Sequence, residues 1–138
     1  MPKKRDRVIL DTNLWISFLI NSDFSRLDRI INDKKVVLLY SQELIEEFIE
    51  VARRPKFKKY FEEESLQLLL AKMAARAEFI DVESKINVCQ DPKDNFLLAL
   101  SKDGKASHLL TGDKELLLIA KFSRTFIISM TEYLKTLT

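Results

Sequence analysis

Val8-Ile9-Leu10-Asp11-Thr12-Asn13 reads as a short strand that ends in an acid and turns at once into a helix. Three consecutive apolar residues without polar alternation suit a strand covered on both faces, as in parallel sheets. The pattern returns at His108-Leu109-Leu110-Thr111-Gly112-Asp113, where an apolar run again exits through a threonine and an aspartate. Val36 to Tyr40 and Phe126 to Ile128 are runs of the same kind, and Glu78 to Val82 is a weaker fifth. Between them lie helical patterns over Leu14 to Asn32, Gln42 to Arg53, Glu62 to Arg76, Asp94 to Lys102, Lys114 to Lys121 and Thr131 to Leu137. Strands alternating with helices predict a doubly wound α/β fold. In such folds ligands bind outside the carboxyl ends of the strands, where Asp11 and Asp113 stand.

Nothing in the composition argues for a second domain. The 138 residues have no repeat or dividing linker, so residues 1–138 read as one domain. Hydrophobic residues make up 46% and charged residues 32%, the balance of a soluble globular protein. No apolar run approaches the ~18 residues that span a bilayer. Residues 1–6 read as a basic tail, and the apolar Val8-Ile9-Leu10 behind it is too short for a secretory signal. Cys89 is the only cysteine, so no intrachain disulfide forms and a reducing cytoplasm is the expected location. A net charge of +2 neither points to a polyanionic partner nor excludes one.

Acids at strand exits have an ordinary explanation. Asp11, Asp91, Asp94 and Asp113 can each cap a helix by accepting hydrogen bonds from free amides of its first turn. Asp94 fits that role less well, because Phe96-Leu97-Leu98-Ala99-Leu100 makes its helix apolar nearly all round. At ~100° per residue its carboxylate projects between Leu97 and Leu98, an expensive place unless it is paired or coordinated. In the helix from Gln42, Glu47 lies nearest the apolar arc, with Glu46 the next candidate. Several carboxylates meeting without matching positive charge repel one another, and a hard cation with oxygen ligands resolves the conflict. No Cys/His cluster suggests zinc, and the lone His108 in its apolar strand reads as a hydrogen-bonded structural residue. Metal-assisted hydrolysis is the reaction class these residues suit best.

These stretches resemble the PIN-domain nucleases from Val8 to about Leu134. The matching pieces are Val8-Ile9-Leu10-Asp11-Thr12-Asn13, Ser41-Gln42-Glu43-Leu44 through Glu47-Phe48 to Arg54-Pro55-Lys56-Phe57, Asp91-Pro92-Lys93-Asp94-Asn95-Phe96-Leu97, and Leu110-Thr111-Gly112-Asp113. The Arg-Pro-Lys ending is similar to the VapC-like branch of bacterial and archaeal toxins from toxin–antitoxin systems. The resemblance implies a three-layer α/β/α sandwich with a parallel sheet of four to five strands. It implies an acidic quartet of Asp11, Glu47, Asp94 and Asp113, with Asp91 as a neighbour and Thr12, Asn13 and Thr111 as polar supports. It implies Mg²⁺- or Mn²⁺-dependent cleavage of RNA, an antitoxin encoded separately, and a homodimer. Lys93 and Lys114 depart from the usual pattern, and either can form an ion pair that weakens metal affinity or can contact phosphate.

Arg53, Arg54 and Lys56, with Lys58, Lys59 and the aromatic Phe57, Tyr60 and Phe61 interleaved, are candidates to grip RNA, against the plainer reading of a solvated helix end. The helix Glu62 to Arg76 carries a wide stripe of Leu66, Leu68, Leu69, Leu70, Ala71, Met73 and Ala74, which suits either a dimer interface or core packing. The alternatives to a nuclease are a PIN-like module that binds RNA or a partner without cleaving, and an aspartate-based phosphatase. The phosphatase chemistry wants a second acid two residues after Asp11, where this chain has Asn13.

Overall fold

The computed structural model describes residues 5–21, 25–59 and 62–137. Its centre is a six-stranded sheet in the order β3-β2-β1-β4-β6-β5. The strands are β1 (Asp6–Leu10), β2 (Val36–Tyr40), β3 (Ala77–Phe79), β4 (His108–Leu110), β5 (Lys121–Phe122) and β6 (Thr125–Ile128). Every pairing is parallel except that of β5 with β6. The helices are α1 (Thr12–Asn21), α2 (Ser25–Ile31), α3 (Gln42–Ala52), α4 (Glu63–Arg76), α5 (Pro92–Asp103), α6 (Lys114–Ile119) and α7 (Met130–Thr136), with a 3₁₀ turn at Pro55–Phe57.

Alternation along each strand builds the two outer layers. Val8, Leu10, Leu38 and Leu110 point into one core with Trp15, Leu27, Phe48, Leu69, Met73 and Tyr133. Their strand neighbours Ile9, Leu39 and Leu109 point into the other, against Leu97, Leu98 and Leu100 of α5 and Leu116 of α6. The expected α/β/α sandwich is therefore present. The chain winds outward from β1 to β2 and β3, then returns to place β4 on the other side of β1. That reversal puts the switch point between β1 and β4, and the crevice of a doubly wound sheet opens beside it.

Three details correct the sequence expectations. The parallel part of the sheet has five strands as expected, β3-β2-β1-β4-β6, but a sixth, β5, adds to its edge antiparallel. β5 is only two residues long, and the turn that joins it to β6 puts Ser123 at φ 55 without a glycine. Hairpin turns of that hand are normally announced by Asn-Gly or a similar pair, and here the turn is Ser123-Arg124. The helix expected over Leu14 to Asn32 is two helices, and both bury side chains in one core. A straight rod over that span would be about 28 Å long and would overrun a sheet of five-residue strands, roughly 17 Å deep. Phe96 does not join the buried face of α5; it is 51% exposed.

The wide stripe of α4 resolves mostly into core. Leu66, Leu69 and Met73 are buried, whereas Leu68, Ala71 and Ala74 face solvent. β1 already begins at Asp6, within the stretch read as a basic tail, and residues 1–4 of that tail lie outside the described residues. So do Tyr60 and Phe61 of the basic–aromatic segment. His108 sits at the amino end of β4, with its Nδ1 2.9 Å from Ser107 Oγ and its ring packed on Tyr133. It is far from the carboxyl edge where the acids gather. Among the described residues no helix is long and apolar enough to cross a membrane.

Candidate active site

Each acid reaches the carboxyl edge by a local device. Asp11 follows β1 and accepts hydrogen bonds from the Asn13 amide (3.1 Å) and from Thr111 Oγ1 (2.6 Å). Thr111 follows β4, the strand paired beside β1, and its hydroxyl oxygen also accepts from the Asp113 amide at 3.0 Å. One threonine thus ties the two strand exits together. Asp113 caps α6 by accepting from the Glu115 and Leu116 amides, and Asp91 caps α5 by accepting from the Lys93 amide. Pro92 in the first turn has no amide to leave unsatisfied. Asp94, the third residue of α5, is also in its first turn but does not cap the helix. It is 6% exposed, and none of the described residues donates a hydrogen bond to its side chain.

Glu47 comes from α3, whose amino end is held by Ser41 accepting from the Leu44 amide. Its Oε2 accepts from Thr12 Oγ1 at 3.1 Å, and its Oε1 stands 3.6 Å from Lys93 Nζ. Glu46, one residue earlier, is exposed and bonded to Gln42. Asp11, Glu47, Asp91, Asp94 and Asp113 line one cleft together with Asn13, Val51, Arg54, Lys56, Phe57, Lys93 and Leu97. The structure brings Arg54 and Lys56 to this cleft but not Arg53. That residue pairs with Glu63 at 2.6 Å and lines a separate pocket with Lys58 and Leu66.

The electrostatics follow from five carboxylates facing three cations across one cleft. Burial, then the charges of Asp113, Asp91, Asp11 and Glu115, push the Asp94 carboxyl up to about 7. Burial raises Asp11 as well, and the bonds from Thr111 and Asn13 only partly offset it. The same negative field reaches the thiol of Cys89, behind α5, which burial and the charges of Glu115, Asp94 and Asp113 push up to about 11. Glu115 was not among the residues the sequence singled out. Its signal was its place two residues after Asp113 at the start of α6. Asn95 was also passed over: its side chain accepts from the Val88 and Cys89 amides and donates to the Cys89 carbonyl, fixing the approach to Asp91.

The geometry can be set beside known proteins. The family model for the PIN domain matches residues 7–115, a span that takes in Asp11, Glu47, Asp94 and Asp113. The chain belongs to the PIN-domain family. An uncharacterized protein of Methanocaldococcus jannaschii is 31% identical over 120 residues, covering 85% of this chain and 77% of its own. Among solved structures, a chain of VapBC2 from Rickettsia felis, crystallised bound to a DNA fragment from its promoter, superposes with a TM-score of 0.59. That match is 13% identical and covers 88% of this chain and 96% of the other, so it supports the PIN-like fold.

The carboxylates that line the cleft of this PIN-domain chain are hard oxygen donors, the type that suits a divalent ion such as Mg²⁺. Among the described residues no three His, Cys, Asp or Glu side chains converge closely enough to hold an ion by themselves. Mg²⁺ commonly takes one or two carboxylates and keeps its other ligands as water, so the wider spacing of the cleft is compatible with it. The buried and unbonded Asp94 is the strongest fit. Thr111 is the polar support with the clearest consequence. Thr111→Val removes the donor to Asp11 and the acceptor for the Asp113 amide; loss of such outer partners typically costs ~10–100-fold in metal affinity. Mn²⁺ titration of the variant beside wild type checks it, and an unchanged affinity would remove Thr111 from the site.

Proposed function

We propose that this PIN-domain chain is a metal-dependent ribonuclease, the toxin component of a toxin–antitoxin pair, with Asp11, Glu47, Asp94 and Asp113 as ligands for Mg²⁺ or Mn²⁺. The observation that carries the reading is Asp94: a carboxylate that is buried, has no hydrogen-bond donor among the described residues, and faces other acids. Such a group holds its negative charge at lower cost beside a cation.

A bound divalent ion supplies charge neutralisation at the phosphate and acidifies an associated water. The chain's own residues do the rest. Thr111 and Thr12 orient Asp11 and Glu47 through the hydrogen bonds given above. Loading the site takes the proton from Asp94, so metal binding is expected to release protons near neutral pH. Arg54 and Lys56 line the mouth, where they can bind phosphates on either side of the scissile bond. Phe57 beside them is half-buried and gives an apolar edge for a base.

The antitoxin partner follows from the resemblance to the toxin branch, and the fold shared with the Rickettsia felis VapBC2 chain supports it. Self-association through α4 would have to use Leu68, Ala71 and Ala74, the part of the stripe that the core leaves exposed. The second reading, a PIN-like module that binds RNA or a partner without cleaving it, draws on the absence of a ready three-carboxylate group among the described residues.

One assay separates them. An end-labelled RNA oligonucleotide is incubated with the protein in chelator and in Mn²⁺. The proposal expects cleavage only with the metal, and products without 2′,3′-cyclic phosphate, because water and not the ribose hydroxyl attacks. Cleavage in chelator contradicts the proposal. RNA retained without cleavage in Mn²⁺ supports the binding module.

A further inference from the structure

The cleft has three cations, and they are not equivalent. Arg54 leans back toward Glu50 of α3, 3.5 Å away, and Lys56 lies over the Phe57 ring at 4.9 Å. Lys93 alone of the three is paired with a candidate ligand. Its Nζ stands 3.6 Å from Oε1 of Glu47, while Thr12 holds the other oxygen of that carboxylate. Glu47 is thus engaged on both oxygens, one by a neutral hydroxyl and one by a full positive charge. The pair also bridges α3 and α5 and borders a small pocket behind the cleft with Ser41, Leu44 and Phe96.

Lys93 lies between Asp91 and Asp94 in sequence and lines the same cleft as both. The Lys93 side chain is 43% exposed and that of Glu47 19% exposed. A half-exposed ion pair at this separation is weak and readily exchanged. It is therefore suited to leave when a doubly charged ion arrives.

We infer that Lys93 is a built-in counter-ion that competes with the divalent cation for Glu47 and holds the site in a charge-paired, metal-free state until the ion displaces it. The inference rests on the metal-nuclease reading above and goes beyond it, because it makes the effect of Lys93 depend on Glu47. Loss of a lysine that only stands near the site alters Mn²⁺ affinity alike with or without Glu47. Loss of a competing counter-ion raises it only while Glu47 is there.

The test is Mn²⁺ binding to the full chain, followed through the paramagnetic resonance signal of the free ion, in wild type, Lys93→Gln, Lys93→Arg, Glu47→Gln and the Lys93→Gln/Glu47→Gln double variant. Freeing Glu47 from a half-exposed ion pair of this kind is expected to tighten binding by up to about fivefold, the range such pairs are worth. Lys93→Arg keeps the charge and should stay within about twofold of wild type by the same reasoning. In the Glu47→Gln background Lys93→Gln should change affinity by no more than about twofold, because the residue competed for is gone. Lys93→Gln binding Mn²⁺ no tighter than wild type overturns the inference while leaving the nuclease reading intact. An equal gain in both backgrounds also overturns it. A wild-type protein that binds no Mn²⁺ overturns the metal reading itself, and the role of Lys93 with it.

Discussion

Asp94→Asn is expected to abolish RNA cleavage, to lose most of the stabilisation that Mn²⁺ confers, and to leave the metal-free protein at least as stable as wild type. Loss of an outer partner already costs ~10–100-fold, so loss of a ligand should lower activity by more than about a hundredfold. With Mn²⁺ at a hundred times its dissociation constant, wild type should gain about 2.7 kcal/mol by mass action. For a chain of this size that is a rise in melting temperature of roughly 10 °C. If the variant binds a hundredfold more weakly, the same Mn²⁺ should give it no more than about 0.4 kcal/mol.

The structure sharpens this comparison, because Asp91 and not Asp94 caps α5. Removing Asp94 therefore costs no cap. What remains is the attraction of a first-turn acid for the helix dipole, typically about 0.3–1 kcal/mol, set against the relief of burying a carboxylate among acids. Melts in chelator and in Mn²⁺ decide it: an equal gain for wild type and variant would show that Asp94 is not a ligand.

The second large effect is on pH dependence without metal. The folded protein holds the Asp94 proton up to about 7, against an ordinary value of 3.8, chiefly because the group is buried. An acid whose folded value is raised stabilises the fold while it is protonated, and that contribution is lost as pH rises through the folded value. Asp94 should therefore stabilise wild type near pH 4 and progressively less up to pH 7.5. A shift of this size sets a ceiling of about 4 kcal/mol, and solvent in the open cleft should reduce it to about 1–3. Asn does not titrate. Measured in chelator, the stability of Asp94→Asn relative to wild type should rise by that amount across the same range. A difference that stays flat with pH would mean that Asp94 is not held among acids as described. Other carboxylates set the absolute curve, so the comparison between the two proteins is the informative quantity.

Much of this molecule was legible in short stretches of sequence. The apolar runs at Val8, Val36, His108 and Phe126 all became strands, and the acids that follow the first and third stand at the carboxyl edge. The phase of α3 distinguished Glu47 from Glu46, because a helix repeats every 3.6 residues and its buried face can be counted from the sequence. Signals of this kind depend on neighbours a few positions apart, and the chain carries them without help from the rest of the fold.

What the sequence could not show depends on residues far apart in the chain. It named both Asp91 and Asp94 as candidate caps of α5, and only the backbone path settled which one does. It placed Arg53 and Arg54 together, yet the first pairs with Glu63 and the second lines the cleft. The antiparallel β5 had no turn signature and exists because β6 offers a free edge. Thr111 meets Asp11 across 100 positions, and Lys93 meets Glu47 across two helices, by virtue of strand pairing and helix packing. The chemistry of the acids is likewise a tertiary property. By itself the sequence determined the fold class and which acids would lie along one edge. Burial and the mutual repulsion that raises Asp94 arise only when the packed sheet removes water from between them, since desolvation and Coulomb energy depend on distance in space and not along the chain.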